Sequence, residues 1–176
     1  MSHKPTAIDL FSGAGGLTEG LRQAGFRVVA AVESDALACS TYRMNHPEVH
    51  VCEGDIRRLS ANLLMKKVHI ARGDLDLLAA CPPCQGFSRL RTKNGSKRNR
   101  DPQNNLIFEV SRFVEHLFPK AVMLENVPDL GGSTRLKRFI SELRHFGYET
   151  KWRVLNTVHY AVPQRRRRLV LIAFSG

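Results

Sequence analysis

The chain has 176 residues, the size of one ordinary globular domain, with 43% hydrophobic and 24% charged residues. No apolar run approaches the roughly 20 residues that span a bilayer, and the first residues lack the long apolar segment of a signal peptide. We therefore expect a soluble, cytoplasmic protein without membrane contacts, associated with the nucleoid if it is bacterial. The net charge of +11, from 27 Lys and Arg against 16 Asp and Glu, favours a polyanionic partner.

Apolar runs alternate along the chain with segments of helical periodicity. The apolar runs predict strands at residues 6–10, 27–32, 50–52, 75–80, 121–124, 149–155 and 169–174. The periodic segments predict helices at residues 17–24, 35–45, 56–67, 104–118 and 133–146, the second of them capped by Ser34 or Asp35. This alternation is typical of a doubly wound α/β fold, whose mostly parallel sheet carries helices on both faces. We expect one domain over residues 1–176.

A glycine-rich turn and two acidic residues follow the first three predicted strands. Residues 9–16 read Asp-Leu-Phe-Ser-Gly-Ala-Gly-Gly, Glu33 ends the second strand, and Asp55 ends the third. The turn has neither the Gly-x-Gly-x-x-Gly spacing nor the lysine of a P-loop. A glycine turn followed by two acids suits the nucleoside of S-adenosylmethionine better than NAD. The alternative is that both acids only cap the helices that follow them.

Residues 79–88 place two cysteines, Cys81 and Cys84, on a Pro-Pro loop after the fourth predicted strand. They could form a redox or metal-binding pair, or Cys84 could be a lone nucleophile. No second Cys-x-x-Cys follows, so we expect no metal site. Cys39 and Cys52 are expected in the core.

Basic residues are clustered in two segments, which favours nucleic acid over solubility as their purpose. Residues 89–100 contain six basic side chains and no acidic one, and residues 165–168 are four consecutive arginines. The polar segment 89–103 is also long enough to be a functional lid.

With these motifs in place, the chain resembles the cytosine-C5 DNA methyltransferase family over nearly all its residues. The resemblance rests on the glycine turn, on Pro82-Pro83-Cys84-Gln85-Gly86-Phe87-Ser88, on Glu125-Asn126-Val127 and on Gln164-Arg165-Arg166-Arg167-Arg168. It implies the Rossmann-like fold of S-adenosylmethionine-dependent methyltransferases and double-stranded DNA as the partner, as in bacterial modification systems. The implied cofactor-binding residues are Phe11, Ser12, Gly13, Gly15, Gly16, Leu17, Glu33, Ser34, Asp55, Ile56, Pro82 and Leu106. The implied nucleic-acid-binding residues are Gln85, Ser88, Arg89, Arg91, Lys93, Lys97, Arg98 and Arg100.

The catalytic residues implied by the resemblance are Cys84, Glu125, Arg166 and Arg168, and the chemistry requires such groups. C5 of cytosine is a poor nucleophile until a thiolate, here Cys84, adds to C6. A protonated Glu125 would neutralise the charge that develops toward N3, and Arg166 or Arg168 would bind O2. The target base has to be flipped out of the duplex to reach them.

The sequence departs from the family at several points. The family's target-recognition domain and C-terminal motifs are absent from these 176 residues, so we expect a C-terminally incomplete fold. We also expect weak or no activity alone, unless a second polypeptide supplies those parts. Ser34 stands where relatives carry an aromatic residue, Ala161 replaces a glycine, and Cys81 is interpreted as a small core filler. Alternatives are a tRNA cytosine-C5 methyltransferase, a thiol–disulfide oxidoreductase using both loop cysteines, a non-catalytic partner that only binds cofactor or DNA, or an inactive fragment.

Overall fold

The computed structural model describes residues 4–83 and 105–176, and within them seven strands form one sheet. The strands are β1 Thr6–Leu10, β2 Arg27–Glu33, β3 His50–Glu53, β4 Leu77–Ala80, β5 Ala121–Asn126, β6 Tyr148–Asn156 and β7 Arg167–Ser175. Their order across the sheet is β3-β2-β1-β4-β5-β7-β6. The first five are parallel, and β7 runs antiparallel to both β5 and β6. The predicted doubly wound, mostly parallel α/β fold is confirmed.

Five helices lie between the strands of the described ranges: α1 Gly16–Gln23, α2 Ala36–Asn45, α3 Ala61–Val68, α4 Ile107–Leu117 and α5 Thr134–His145. Short 3₁₀ turns occupy Ile56–Arg58, Pro128–Gly132 and Thr157–Tyr160. Asp35, not Ser34, caps α2 by accepting the Ala38 N–H at 2.7 Å. The predicted continuous helix 56–67 is wrong. Leu59 is extended, and α3 begins only after Ser60, whose hydroxyl accepts the Leu63 N–H.

The sheet buries a separate apolar cluster on each of its two faces. Because successive side chains of a strand point to opposite faces, Ala7 of β1 joins one cluster, while Ile8 and Leu10 join the other. The helices α1 and α2 cover the first cluster with Leu21 and Tyr42. The helices α3, α4 and α5 cover the second with Leu64, Phe113 and Phe139.

The strand order creates a crevice at one edge of the sheet. β1 lies in the middle of the parallel strands, with β2 and β3 on one side of it and β4 and β5 on the other, so the strand order reverses at β1. Ligands of such folds bind at this point, outside the carboxyl ends of the strands. Because β7 is antiparallel to β5, its first residues reach the same edge, with Asn126 paired to Leu169. None of the helices within the described ranges is long and apolar enough to cross a membrane.

Candidate active site at the carboxyl ends of the strands

The glycine turn after β1 is held in an unusual backbone conformation. Phe11 has a φ of 62°, in the left-handed region that costs a bulky residue about 1–3 kcal/mol. The backbone N–H groups of Phe11 and Ser12 both donate to the carbonyl of Val32, at 2.8 and 3.1 Å. These two hydrogen bonds to β2 stabilise the turn and leave the Phe11 side chain in the crevice.

Gly15 at the end of this turn has no room for a side chain. Its φ is 99°, and an added Cβ would lie 2.6 Å from Nε2 of His46 and 3.2 Å from the Tyr42 ring. The backbone of the turn therefore packs directly on α2, which only glycine allows.

Glu33 is oriented by backbone N–H groups from two sides of the crevice. Its Oε2 accepts from Gly13 at 2.9 Å, and its Oε1 accepts from Ser34 at 2.7 Å and Asp35 at 2.9 Å. Glu33 therefore accepts hydrogen bonds from the two backbone N–H groups that precede α2, in line with the alternative that it caps this helix. It also joins β2 to the glycine turn, and its carboxylate lines the crevice.

Asp55 is engaged by its own neighbour, Arg57. The Asp55 Oδ1 accepts the Arg57 N–H at 3.0 Å, and Oδ2 pairs with Nη2 of the guanidinium at 2.6 Å. These contacts lower the pKa of Asp55 to about 2, the side-chain hydrogen bond with Arg57 being the largest cause. Asp55 thus caps the 3₁₀ turn and stays ionised at the crevice.

Together these elements enclose a cavity of about 480 Å³, within the usual range for a small-molecule site. Its lining consists of Phe11, Val32, Glu33, Ser34, Gly54, Asp55, Ile56, Arg57, Cys81, Pro83 and Leu106.

Beneath the turn, a buried chain of hydrogen bonds begins at Asp9. Thr18 donates its hydroxyl proton to Oδ2 of Asp9 at 2.7 Å, so the Tyr42 hydroxyl, also 2.7 Å away, donates to Thr18. Oδ1 of Asp9 and the buried hydroxyl of Ser12 have no hydrogen-bond partner among the described residues. Burial raises the pKa of Asp9 from its ordinary 3.8 to about 7.

A second group of polar side chains lies at the end of β5. Arg168 Nε is 2.8 Å from Oε1 of Glu125, and both side chains are about one-quarter exposed. The amide of Asn126 donates to the Pro82 carbonyl at 2.9 Å, and its oxygen accepts the N–H of Val127. Asn126 therefore fixes the backbone two residues before Cys84.

Cys81 joins this group to the cavity, contrary to its interpretation as a core filler. The thiol is partly buried, lines the cavity and lies close enough to Glu125 for that carboxylate to affect its protonation. Burial and the charge of Glu125 raise the pKa of Cys81 well above the ordinary value for a thiol. The thiolate needed for a redox partner is therefore disfavoured at this position.

The structure brings together most of the predicted cofactor residues that it describes. Six of them line the cavity: Phe11, Glu33, Ser34, Asp55, Ile56 and Leu106. Ser12, Gly13, Gly15, Gly16 and Leu17 form the turn and the start of α1. Pro82 does not line the cavity, whereas the neighbouring Pro83 does, because the Pro82 carbonyl is turned toward Asn126.

Arg166 and Arg168 differ in environment, which the sequence left undecided. Arg166 is exposed and pairs through its backbone with Thr157, while Arg168 contacts Glu125. Cys84 and all the predicted nucleic-acid-binding residues lie outside the described ranges, as does the segment interpreted as a lid.

Arg57, Pro83 and Asn126 also belong to this region, although the sequence did not predict them as site residues. The Glu-Asn-Val motif contained the only signal for Asn126, since a buried amide beside a proline loop is suited to bind a backbone carbonyl.

A sequence profile of C-5 cytosine-specific DNA methylases matches residues 6–176. The chain belongs to this family. It is 38% identical over 174 residues to the Type II methyltransferase M.XorII of Xanthomonas oryzae pv. oryzae, covering 96% of this chain and 40% of that protein. It is 40% identical over 171 residues to M1.HphI of Haemophilus parahaemolyticus, covering 95% and 45%. M.AquIA of Picosynechococcus is 32% identical over 176 residues, covering 94% and 70%.

Solved structures of related methyltransferases share the fold. A protein described as a DNA modification methyltransferase encoded within an E. coli prophage superposes with a TM-score of 0.82 at 29% identity, covering 97% of this chain and 47% of that one. A DNMT2 mutant of Spodoptera frugiperda gives 0.77 at 27% identity, covering 97% and 50%. The present chain spans less than half the length of M.XorII and of M1.HphI.

Proposed function

We propose that this chain is the catalytic, S-adenosylmethionine-binding part of a DNA cytosine-C5 methyltransferase of a restriction–modification system. One observation carries the proposal: Cys81, whose thiol interacts with the carboxylate of the Glu125–Arg168 pair, lines the cavity. A nucleoside-sized cavity beside a carboxylate and a guanidinium suits an enzyme that joins a cofactor to a polar base.

The described residues fit the nucleoside of S-adenosylmethionine. Phe11 offers an aromatic face, Glu33 offers carboxylate oxygens to ribose hydroxyls, and the buried Ser12 hydroxyl has no partner within the described ranges. When bound there, the cofactor supplies an electrophilic methyl group. Asp55 stands where a carboxylate would bind the amino group of the adenine. It is already paired with Arg57, so this adenine side of the site would present both residues and not the acid alone.

The proposed catalytic steps belong to residues around Pro82. The Cys84 thiolate adds to C6 of a flipped-out cytosine, and loss of the C5 proton with release of Cys84 restores the ring after methylation. Glu125 binds the N3 edge, oriented by Arg168 at 2.8 Å. Asn126 positions the loop by holding the Pro82 carbonyl. In this assignment Arg168 is the better supported arginine, since Arg166 is exposed.

The substrate proposed is double-stranded DNA, bound with help from the basic residues of segment 85–100. Because the match covers 40% of M.XorII and 45% of M1.HphI, we propose that segments outside the matched region provide target recognition. A separate polypeptide in that role has no support in the comparisons above. We further propose that the protein acts in the cytoplasm, where its DNA substrate lies.

The test is covalent trapping on duplex DNA containing 5-fluorocytosine, in the presence of S-adenosylmethionine. We expect a denaturation-resistant adduct in low yield with the wild-type chain, a detectable adduct with Cys81→Ser, whose yield can fall because Cys81 lines the cavity, and none with Cys84→Ser. Cys81→Ser is the matched control because it removes the neighbouring thiol and leaves the proposed nucleophile.

An adduct lost in Cys81→Ser as completely as in Cys84→Ser would contradict the assignment of Cys84 as the lone nucleophile. RNA of the same sequence serves as the competing substrate, and an adduct on RNA alone would contradict DNA as the substrate. Absence of both an adduct and S-adenosylhomocysteine binding, measured by calorimetry, would refute the proposal for this chain.

A further inference from the structure

Arg112 on α4 reaches out of its own helix to a neighbouring turn. Its Nη2 donates to the carbonyl of Ile56 at 2.7 Å, and its Nη1 donates to the carbonyl of Leu59 at 3.1 Å. Its Nε donates to Oε2 of Glu109 at 2.7 Å, one turn earlier on the same helix. The guanidinium also lies 4.8 Å from the centroid of the Phe113 ring. Each of the three guanidinium nitrogens therefore has an acceptor that helps to fix its position.

The two carbonyls belong to the short turn that forms one wall of the cavity. Ile56 lines the cavity itself, and the 3₁₀ turn has only two backbone hydrogen bonds of its own, Arg58 to Asp55 and Leu59 to Ile56. Such a short helix has little intrinsic stability. Its orientation must come from contacts outside the turn, and charge-assisted hydrogen bonds from Arg112 are the strongest kind available.

The helix that carries Arg112 begins at the cavity as well. Leu106, which lines the cavity, directly precedes the first residue of α4, Ile107. Arg112 thereby connects two parts of the cavity lining, the turn at Ile56 and the start of α4 at Leu106. We propose that Arg112 is a positioning residue that sets the adenine side of the cofactor cavity. This inference rests on the proposed function, since it takes S-adenosylmethionine as the occupant.

The chain provides a matched control at Arg72. Arg72 also lies over an aromatic ring, 4.6 Å from the centroid of Phe118, and also donates to a helix carbonyl, that of Glu115 at 3.4 Å. None of these residues lines the cavity. Replacing Arg72 by Met therefore removes a ring contact and a hydrogen bond to a helix carbonyl without touching the turn.

The experiment compares Arg112→Met, Arg112→Lys and Arg72→Met with the wild-type chain. Calorimetry measures the affinity for S-adenosylhomocysteine and for 5′-methylthioadenosine, which lacks the amino-acid end. We expect Arg112→Met to weaken both by the same factor of about tenfold, since two charge-assisted hydrogen bonds are lost at the adenine side. Arg112→Lys, which keeps the charge on a single donor nitrogen, should restore part of the loss, and Arg72→Met should bind like the wild type.

Hydrogen exchange of the ligand-free chain is the second measurement. The backbone amides of Arg58 and Leu59 should exchange about tenfold faster in Arg112→Met than in the wild type, because this substitution frees the turn. Their exchange rates should be unchanged in Arg72→Met. Equal affinities in wild type and Arg112→Met, or equal losses in Arg112→Met and Arg72→Met, would overturn the proposal. If the wild-type chain binds neither ligand, the proposed cofactor is wrong, and hydrogen exchange alone decides whether Arg112 holds the turn.

Discussion

Asp9 offers a direct test of the electrostatics beneath the glycine turn. Its side chain is fully buried, and burial raises its pKa from 3.8 to about 7, against the lowering effect of the Thr18 hydrogen bond. Between these two values the folded chain holds a proton that the unfolded chain has released. The contribution of Asp9 to the free energy of unfolding is therefore fully present below about pH 4 and is lost as the pH rises toward about 7.

The expected magnitude follows from the linkage between protonation and folding. Each pKa unit corresponds to about 1.4 kcal/mol, so the full rise would cost at most about 4 kcal/mol at neutral pH. Replacing Asp9 by Asn removes the titrating group. The substitution also lowers the free energy of unfolding by about 1–3 kcal/mol at every pH, because the new amide group is buried at the position of Oδ1, which has no hydrogen-bond partner within the described ranges. The informative quantity is thus the slope with pH and not the absolute stability.

The assay is urea unfolding followed by circular dichroism, repeated from about pH 5 to about pH 8. Relative to Asp9→Asn, the wild-type chain should lose about 2–3 kcal/mol of unfolding free energy over this range. Asp74→Asn, which alters an exposed aspartate on a surface turn, should follow the wild-type profile. If wild type and Asp9→Asn lose the same free energy with rising pH, Asp9 is not protonated in the folded chain and the reasoning fails.

Four further substitutions test local geometry by thermal unfolding. Gly15→Ala should destabilise by more than about 1 kcal/mol, because its Cβ meets the imidazole of α2 and its φ is 99°. Gly20→Ala, with open space around it inside α1, should gain up to about 1 kcal/mol, and a loss there would contradict the distinction. Asn126→Ala should cost about 1–3 kcal/mol by leaving the Pro82 carbonyl without its buried donor. Ala161→Gly should stabilise by about 0.5–1 kcal/mol, since φ is 59° there, and an unchanged midpoint would show that this strain is negligible.

Much of the fold could be predicted from the sequence because its signals are local. The alternation of apolar runs and helical periodicity predicted the seven strands, and parallel strands bring Glu33 and Asp55 to one edge of the sheet. The break at Leu59 escaped this reasoning, since the periodicity continues through it. What decides the break is the Ser60 cap, together with the contact from Arg112, which lies more than 50 residues away in the chain.

The sequence by itself determined the family, through motifs whose residue types the chemistry requires. It did not decide which arginine of the basic run meets Glu125. That pairing depends on β7 inserting antiparallel between β5 and β6, so that its first residues reach the end of β5. The contacts of Asn126 with Pro82 and of Arg112 with the turn were likewise decided only by the tertiary structure. The Asn126–Pro82 hydrogen bond joins residues 44 positions apart in the chain, and the Arg112–Ile56 hydrogen bond joins residues 56 positions apart. Such bonds leave no periodic pattern in the sequence, because they depend on how the elements pack.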